Sequence, residues 1–165
     1  MVAASQQPMP SRIALWLALL LPAGLLGGAY VSQYGFGLFP CEMCWWQRYP
    51  HFVALIPAVL AFVAKKPGRR NLLIVLAAFC LMVSGIIGGF HAGVEYGWWQ
   101  GLTACATPAA GDDLLESIMN APLVRCDTAP WSLFGISLAG YNFLFSVVGA
   151  LLIFWLVRCA ERSRR

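Results

Sequence analysis

Long apolar runs separated by short polar joints make up most of this chain. Four of them reach the length at which a helix crosses a bilayer, about 20 residues. The first covers 13–33, the third 71–90 and the fourth 136–157. The second is shorter, sixteen residues from Tyr49 to Ala64, and fills 45–64 only by taking in Arg48. A backbone without water must satisfy its own N–H and C=O groups, so each run predicts a helix, kinked where Pro22 and Pro57 interrupt it. The joints are uneven, and segments 34–44 and 91–135 form two outer loops. In the longer one, Asp112, Asp113 and Glu116 favour a helix start, while Leu114, Leu115, Ile118 and Met119 share an apolar face. A short amphipathic helix on the membrane surface, ended by Pro122, is the expectation there. The chain shows no internal repeat.

Composition turns these runs into a class. Of 165 residues, 60% are hydrophobic and 11% charged, whereas a soluble domain carries about 25% charged residues. The expected architecture is an all-α integral membrane protein, a single four-transmembrane-helix bundle over 1–165 with a long outer loop. The net charge of +4 does not point to nucleic acid, because the basic residues flank apolar runs. Instead it sets orientation. Arg12, Lys65, Lys66, Arg69, Arg70, Arg158, Arg162, Arg164 and Arg165 fall on one side, nine of the eleven Lys and Arg. The other side keeps Arg48 and Arg125 with six of the seven acids. Cytoplasmic loops collect positive charge, so both termini are expected in the cytoplasm and both longer loops outside. Trp45, Trp46, Tyr49, Tyr96, Trp98, Trp99 and Trp131 sit at the outer edges, as interfacial aromatics do. The first run exceeds the usual core of a signal peptide and reads as an anchor rather than a cleaved leader.

Topology then sorts the six cysteines. Cys80 and Cys159, within and at the inner end of spans, read as inert thiols. Cys41, Cys44, Cys105 and Cys126 are all outside, where an even number suggests two disulfides. A Cys105–Cys126 bridge alone would serve equally as a structural staple over a loop of about 20 residues. Cys41-Glu-Met-Cys44 differs, since so small a ring restrains the unfolded chain little, and close CxxC pairs are typical redox centres. Zinc would need all four outer thiolates to converge, and no metal is expected. A c-type haem would need CxxCH, but residue 45 is Trp.

The neighbours sharpen the redox reading. Cys44 lies near a helix N-terminus, and on a continuous helix Arg48 shares its face one turn on, where a guanidinium stabilises a thiolate or an adjacent anion. Pro50 leaves open a second possibility, that the helix proper begins there and 45–49 form a separate turn. His51 and His91 lie at outer helix ends. Each reads first as an interfacial polar group, with a bis-histidine haem the weaker alternative; His91 has glycines around it that leave room for a flat ring, and it is in reach of a redox ligand. No haem or iron–sulfur ligand set and no GxGxxG motif is present in the sequence. By exclusion, and with Cys44 and Arg48 side by side, a lipid-soluble quinone is the electron acceptor to expect.

Pro40-Cys41-Glu42-Met43-Cys44-Trp45-Trp46-Gln47-Arg48-Tyr49-Pro50 resembles the signature of the DsbB family of disulfide bond formation proteins. The four spans, the outer pair Cys105 and Cys126, the stretch Trp131-Ser132-Leu133-Phe134-Gly135-Ile136-Ser137, and Tyr141-Asn142 match it as well. The resemblance implies a thiol:quinone oxidoreductase of the bacterial inner membrane. It implies that Cys105 forms a mixed disulfide with a periplasmic thioredoxin-fold oxidase, DsbA, with Cys126 as its partner. Electrons then pass to Cys41 and Cys44, and Cys44 donates to ubiquinone or menaquinone held by Arg48 with His91 nearby. The 20 residues between the loop cysteines carry no transferable docking pattern. Two other readings fit less of the chain. A reductase resembling vitamin K epoxide reductase would place its CxxC after the loop cysteines, and a tetraspan scaffold would not need the small ring.

Overall fold

Residues that break the apolar pattern set the helix ends. The computed structural model describes residues 9–102 and 125–163. Helix α1 runs Met9–Gly35, α2 Glu42–Val63, α3 Pro67–Glu95 and α4 Leu138–Arg162, with the two-residue strands β1, Ser132–Leu133, and β2, Ile136–Ser137, before α4. Pro67 opens α3, where its missing N–H would have no helical partner in any case. Ser137 caps α4, its hydroxyl accepting the Gly140 N–H at 3.1 Å. Cys105 and the amphipathic stretch 112–119 lie outside the described residues.

Pro50 does not start a separate helix. Helix α2 begins at Glu42 and continues through both Pro50 and Pro57, so Cys44 and Arg48 stand one turn apart on a single helix. The strands were not expected from the sequence. Phe134 and Gly135 have φ of 49° and 76°, and positive φ at both central residues is what a two-residue hairpin turn requires. Two residues per strand are too few to leave an alternating pattern in the sequence. Tyr96 fastens this hairpin to the end of α3: its hydroxyl donates to the Gly135 carbonyl at 2.9 Å and accepts the Ser137 N–H at 3.0 Å.

Helix α3 packs between α2 and α4, and α1 closes against both of those neighbours, leaving α1 and α3 on the diagonal. Size is distributed inside out. Ala14, Ala18, Ala58, Ala61, Ala77, Ala78 and Ala150 are buried, while Trp16, Leu20, Ile56, Phe79, Leu151 and Trp155 are exposed. In water that order would waste apolar surface. In lipid the driving force is close van der Waals approach, which small residues permit, and large apolar side chains face the acyl chains. By length and composition α1, α3 and α4 are able to cross a membrane. Helix α2 is long enough but carries Gln47, Arg48 and His51 inward, all three buried.

Gly85 marks one close approach of α3 to α4. A Cβ there would stand 2.8 Å from Val147 Cγ2 and 3.2 Å from the Val147 backbone nitrogen, which cannot yield as a flexible side chain can. Gly85→Val is therefore expected to cost about 1–3 kcal/mol, read as a lowered thermal unfolding midpoint in detergent. An unchanged midpoint would show that the two helices separate without penalty.

Candidate active site

Pro40 delivers Cys41 in extended conformation, φ −75° and ψ 175°, to the N-cap of α2. Its sulfur accepts the Cys44 N–H at 3.3 Å, so the first cysteine of the pair is also the helix cap. The two thiols lie 3.2 Å apart, Cys41 donating to Cys44. This contact splits their acidities. Donation to Cys44, with burial, pushes Cys41 up to about 12. The same contact holds Cys44 below its ordinary value against burial, with Arg48 adding a smaller pull in the same direction. The thiolate therefore forms on Cys44, and a thiolate is the species that attacks or donates.

Behind the pair, α3 presents His91 and, one turn on, Glu95, with side chains 2% and 3% exposed. His91 Nε2 lies 3.6 Å from Cys41 Sγ and 3.8 Å from Glu95 Oε1. Its Nδ1 lies 2.7 Å from Gln47 Nε2. Gln47 belongs to a wider polar cluster at the meeting of α2, α3 and α4. Its Nε2 also donates to the Met43 carbonyl at 3.2 Å, and its Oε1 accepts from Asn142 Nδ2 at 2.9 Å. Asn142 bonds Ser84, Ser146 and His51 in turn. His51 is buried in this cluster rather than placed at an interface, and it lies among amide and hydroxyl groups.

Arg48 turns the other way, toward α1. It donates to Gln33 Oε1 at 2.6 Å and to the Ala29 carbonyl at 3.3 Å. The rings of Tyr30 and Trp45 flank its guanidinium at 5.0 and 4.9 Å. Such flanking favours the cation and fixes its plane.

Two cavities meet at Cys44. One, about 250 Å³, lies among α1, α2 and α4 and is mostly apolar, with Gly24, Gly28 and Phe145 on its walls and Cys44, Arg48 and Asn142 on its polar side. The other, about 220 Å³, is more polar and is bounded by Cys41, Cys44, His91, Glu95 and Arg125. Cys126 is buried against Cys41, Met43 and Val94, and its main chain offers the His91 ring an acceptor. Of the six residues read from the sequence as site residues, Cys41, Cys44, Arg48 and His91 line these cavities, Cys126 packs against Cys41, and Cys105 is outside the described residues. The glycines near His91 do admit flat rings, but these are the protein's own. A Cβ on Gly93 would collide with Trp99, and one on Gly89 would stand 2.8 Å from the Phe143 ring.

Gln47, Ser84, Glu95 and Asn142 were not singled out for the site by sequence reasoning. A signal existed: polar residues inside apolar helices are expensive in lipid and tend to face one another, and Gln47 and His51 are four apart on one face.

A family model described as disulfide bond formation protein DsbB matches residues 11–156. Curated relatives agree. Disulfide bond formation protein B of Marinobacter nauticus is 31% identical over 153 residues, covering 83% of this chain and 86% of that protein. The protein of that name from Polaromonas sp. is 31% identical over 169 residues, covering 94% and 95%. Disulfide bond formation protein B 1 of Pseudomonas putida is 32% identical over 147 residues, covering 81% and 82%. No solved structure matches the chain significantly.

Proposed function

The chain belongs to the DsbB family of disulfide bond formation proteins, membrane proteins with disulfide oxidoreductase activity, and on that premise we propose that it oxidises a periplasmic DsbA-like dithiol and reduces a membrane quinone. The net reaction balances as two thiols plus quinone giving one disulfide plus quinol, two electrons and two protons moving together. A thiolate of the reduced partner attacks the Cys105–Cys126 disulfide, forming a mixed disulfide with Cys105 and releasing Cys126 as a thiol; the partner's second thiol then displaces Cys105, and the partner leaves as a disulfide. The loop dithiol regains its disulfide by reducing the Cys41–Cys44 disulfide, which leaves Cys41 and Cys44 as thiols. Cys44 hands the electrons to ubiquinone or menaquinone, and Cys41 closes on Cys44 to restore the ring. A quinone supplies the two-electron acceptor; the residues of the apolar cavity fit its head group, since Arg48 is a fixed cation beside Cys44 and the walls are otherwise apolar.

One observation supports this reading above the others. Cys44 borders both the more polar cavity, lined by Cys41, His91 and Arg125, and the mostly apolar cavity among α1, α2 and α4. Such a sulfur suits transfer between a water-soluble dithiol and a lipid-soluble ring. In this reading α2 is the fourth membrane-crossing helix, with its crossing part beginning near Trp45. Both termini are cytoplasmic, and the cysteines at this end are periplasmic in the bacterial inner membrane, as the charge asymmetry favours.

The test is anaerobic quinone reduction by the purified protein in detergent, driven by a reduced DsbA-like oxidase. Many turnovers per protein are expected. No turnover by folded, quinone-supplied protein would overturn the proposal and favour a scaffold, or another thiol partner if the bridges still exchange with small thiols.

A further inference from the structure

The polar cluster at the meeting of α2, α3 and α4 fixes where the proton of His91 resides. A backbone carbonyl only accepts hydrogen bonds, so the Gln47 atom 3.2 Å from the Met43 carbonyl is the amide nitrogen. Likewise the Asn142 atom 3.3 Å from the Ser84 carbonyl is its nitrogen, and that nitrogen also reaches Gln47 Oε1 at 2.9 Å. Both amides are thus oriented by main chain and agree with each other. The atom Gln47 presents to His91 Nδ1 at 2.7 Å is then an N–H donor. A ring nitrogen that accepts a hydrogen bond carries no proton, so neutral His91 is protonated on Nε2. The far side of the ring is compatible with this assignment, since a thiol sulfur and a carboxylate can both accept. Around Nε2 stand acceptors, Cys41 Sγ at 3.6 Å and Glu95 Oε1 at 3.8 Å.

We propose that Gln47 is a positioning residue of the redox site: held by Asn142 and the Met43 carbonyl, it fixes His91 as an Nε2–H donor aimed at the sulfur of Cys41. His91 is then not the base that receives the Cys41 proton, because Nε2 already holds one. It is a stabiliser of negative charge on Cys41, acting beside the Cys44 backbone N–H that the same sulfur accepts. This matters at the step where Cys41 must become nucleophilic to close on Cys44, since Cys41 is the less acidic thiol of the pair. The inference rests on the reading of Cys41 and Cys44 as the redox pair, and it concerns neither the thiol partner nor the quinone. Titratable and charged groups around Cys41 are Cys44 and Arg48 on α2, His91 and Glu95 on α3, and Arg125, Cys126 and Asp127 before β1.

Two histidines in the chain make the test direct. The full-length protein, reduced, in detergent and purified without a histidine tag, is labelled with ring-15N histidine, and His51→Gln assigns the two rings. His91 is expected to show a protonated Nε2 and a bare Nδ1. Gln47→Glu places an acceptor where the donor was, and a proton is expected to appear on Nδ1. A bare Nε2 in the native protein, or an Nδ1 unchanged in Gln47→Glu, overturns the proposal. A second arm reads the sulfur by mass spectrometry, following alkylation of the Cys41 peptide against pH in a Cys44→Ser background. His91→Leu, which removes the donor, is expected to slow alkylation about tenfold at a given pH below the midpoint, the worth of one lost hydrogen bond. His91→Gln, whose amide nitrogen reaches the place of Nε2, is expected to restore most of it. Equal rates in all three, or equal loss in both variants, would sink the donor role. Either arm gives its answer whether or not quinone turnover is observed, so failure here is distinguishable from failure of the proposed function.

Discussion

Cys44→Ser is expected to reduce thiol-driven quinone reduction to background, a loss of about a thousandfold or more, as removal of a nucleophile typically brings. The serine oxygen would occupy the same junction between the two cavities, yet it can neither form a disulfide with Cys41 nor ionise near neutral pH. Folding and quinone binding should survive, because the backbone N–H that caps on Cys41 belongs to residue 44 whatever its side chain. Cys80→Ser and Cys159→Ser, far from the pair in sequence and on other helices, should run at the native rate. The pH profile carries the same idea. Cys44 is held below the ordinary thiol value, chiefly by the Cys41 hydrogen bond. Its thiolate is therefore complete above that lowered value and is lost as pH falls through it, so single-turnover quinone reduction should rise with pH and level off early. Steady-state assay with each variant, at matched quinone occupancy, decides the matter. Retained turnover in Cys44→Ser would remove Cys44 from the electron path.

Arg48→Leu should raise the quinone KM and lower kcat/KM by about 10- to 100-fold, the range for losing a charge-assisted hydrogen bond. Arg48 is 6% exposed as a residue, and its two contacts to α1 leave the guanidinium fixed on the wall of the apolar cavity. A cation already desolvated and oriented pays no further ordering cost when a carbonyl oxygen arrives, and it favours the reduced, more negative ring over the oxidised one. Arg48→Lys should recover only part of the loss. A lysine presents a point charge and cannot span Gln33 and the Ala29 carbonyl while lying flat between Tyr30 and Trp45. A fall in kcat alone, with KM unmoved, would instead assign Arg48 to the Cys44 thiolate.

What the sequence revealed depended on how each feature is encoded. Helices α1, α3 and α4 were legible because an unbroken apolar run is a local property, and all three are long and apolar enough to cross a membrane. Helix α2 was harder for a reason tied to the site: Gln47, Arg48 and His51 dilute its apolar pattern because they face inward. Pro50 looked like a start signal, whereas the helix begins eight residues earlier at Glu42, capped by Cys41, a role thiols seldom take. The CxxC and Arg48 could be found by spacing along one helix. Glu95, Asn142 and Ser84 come to the site from other helices, and only packing brings them together. The hairpin 132–137 was hidden because its turn depends on the positive φ of an exposed Phe134, which the residue type does not advertise.

The placement of Cys44 on two separate cavities has a consequence for leakage. On the proposed function, a quinone would be met on the mostly apolar side of Cys44 and an incoming thiol on the side of Cys41, His91 and Glu95. In that reading the sulfur is a bulkhead fitting, passing charge between chambers that share Leu38, Phe39, Cys44 and Pro130 as a wall. The proposed exchange would thereby keep oxidising rings from stray thiols and quinol from the aqueous phase. Widening either chamber toward the other, even with every cysteine intact, would turn a coupled exchange into a short circuit.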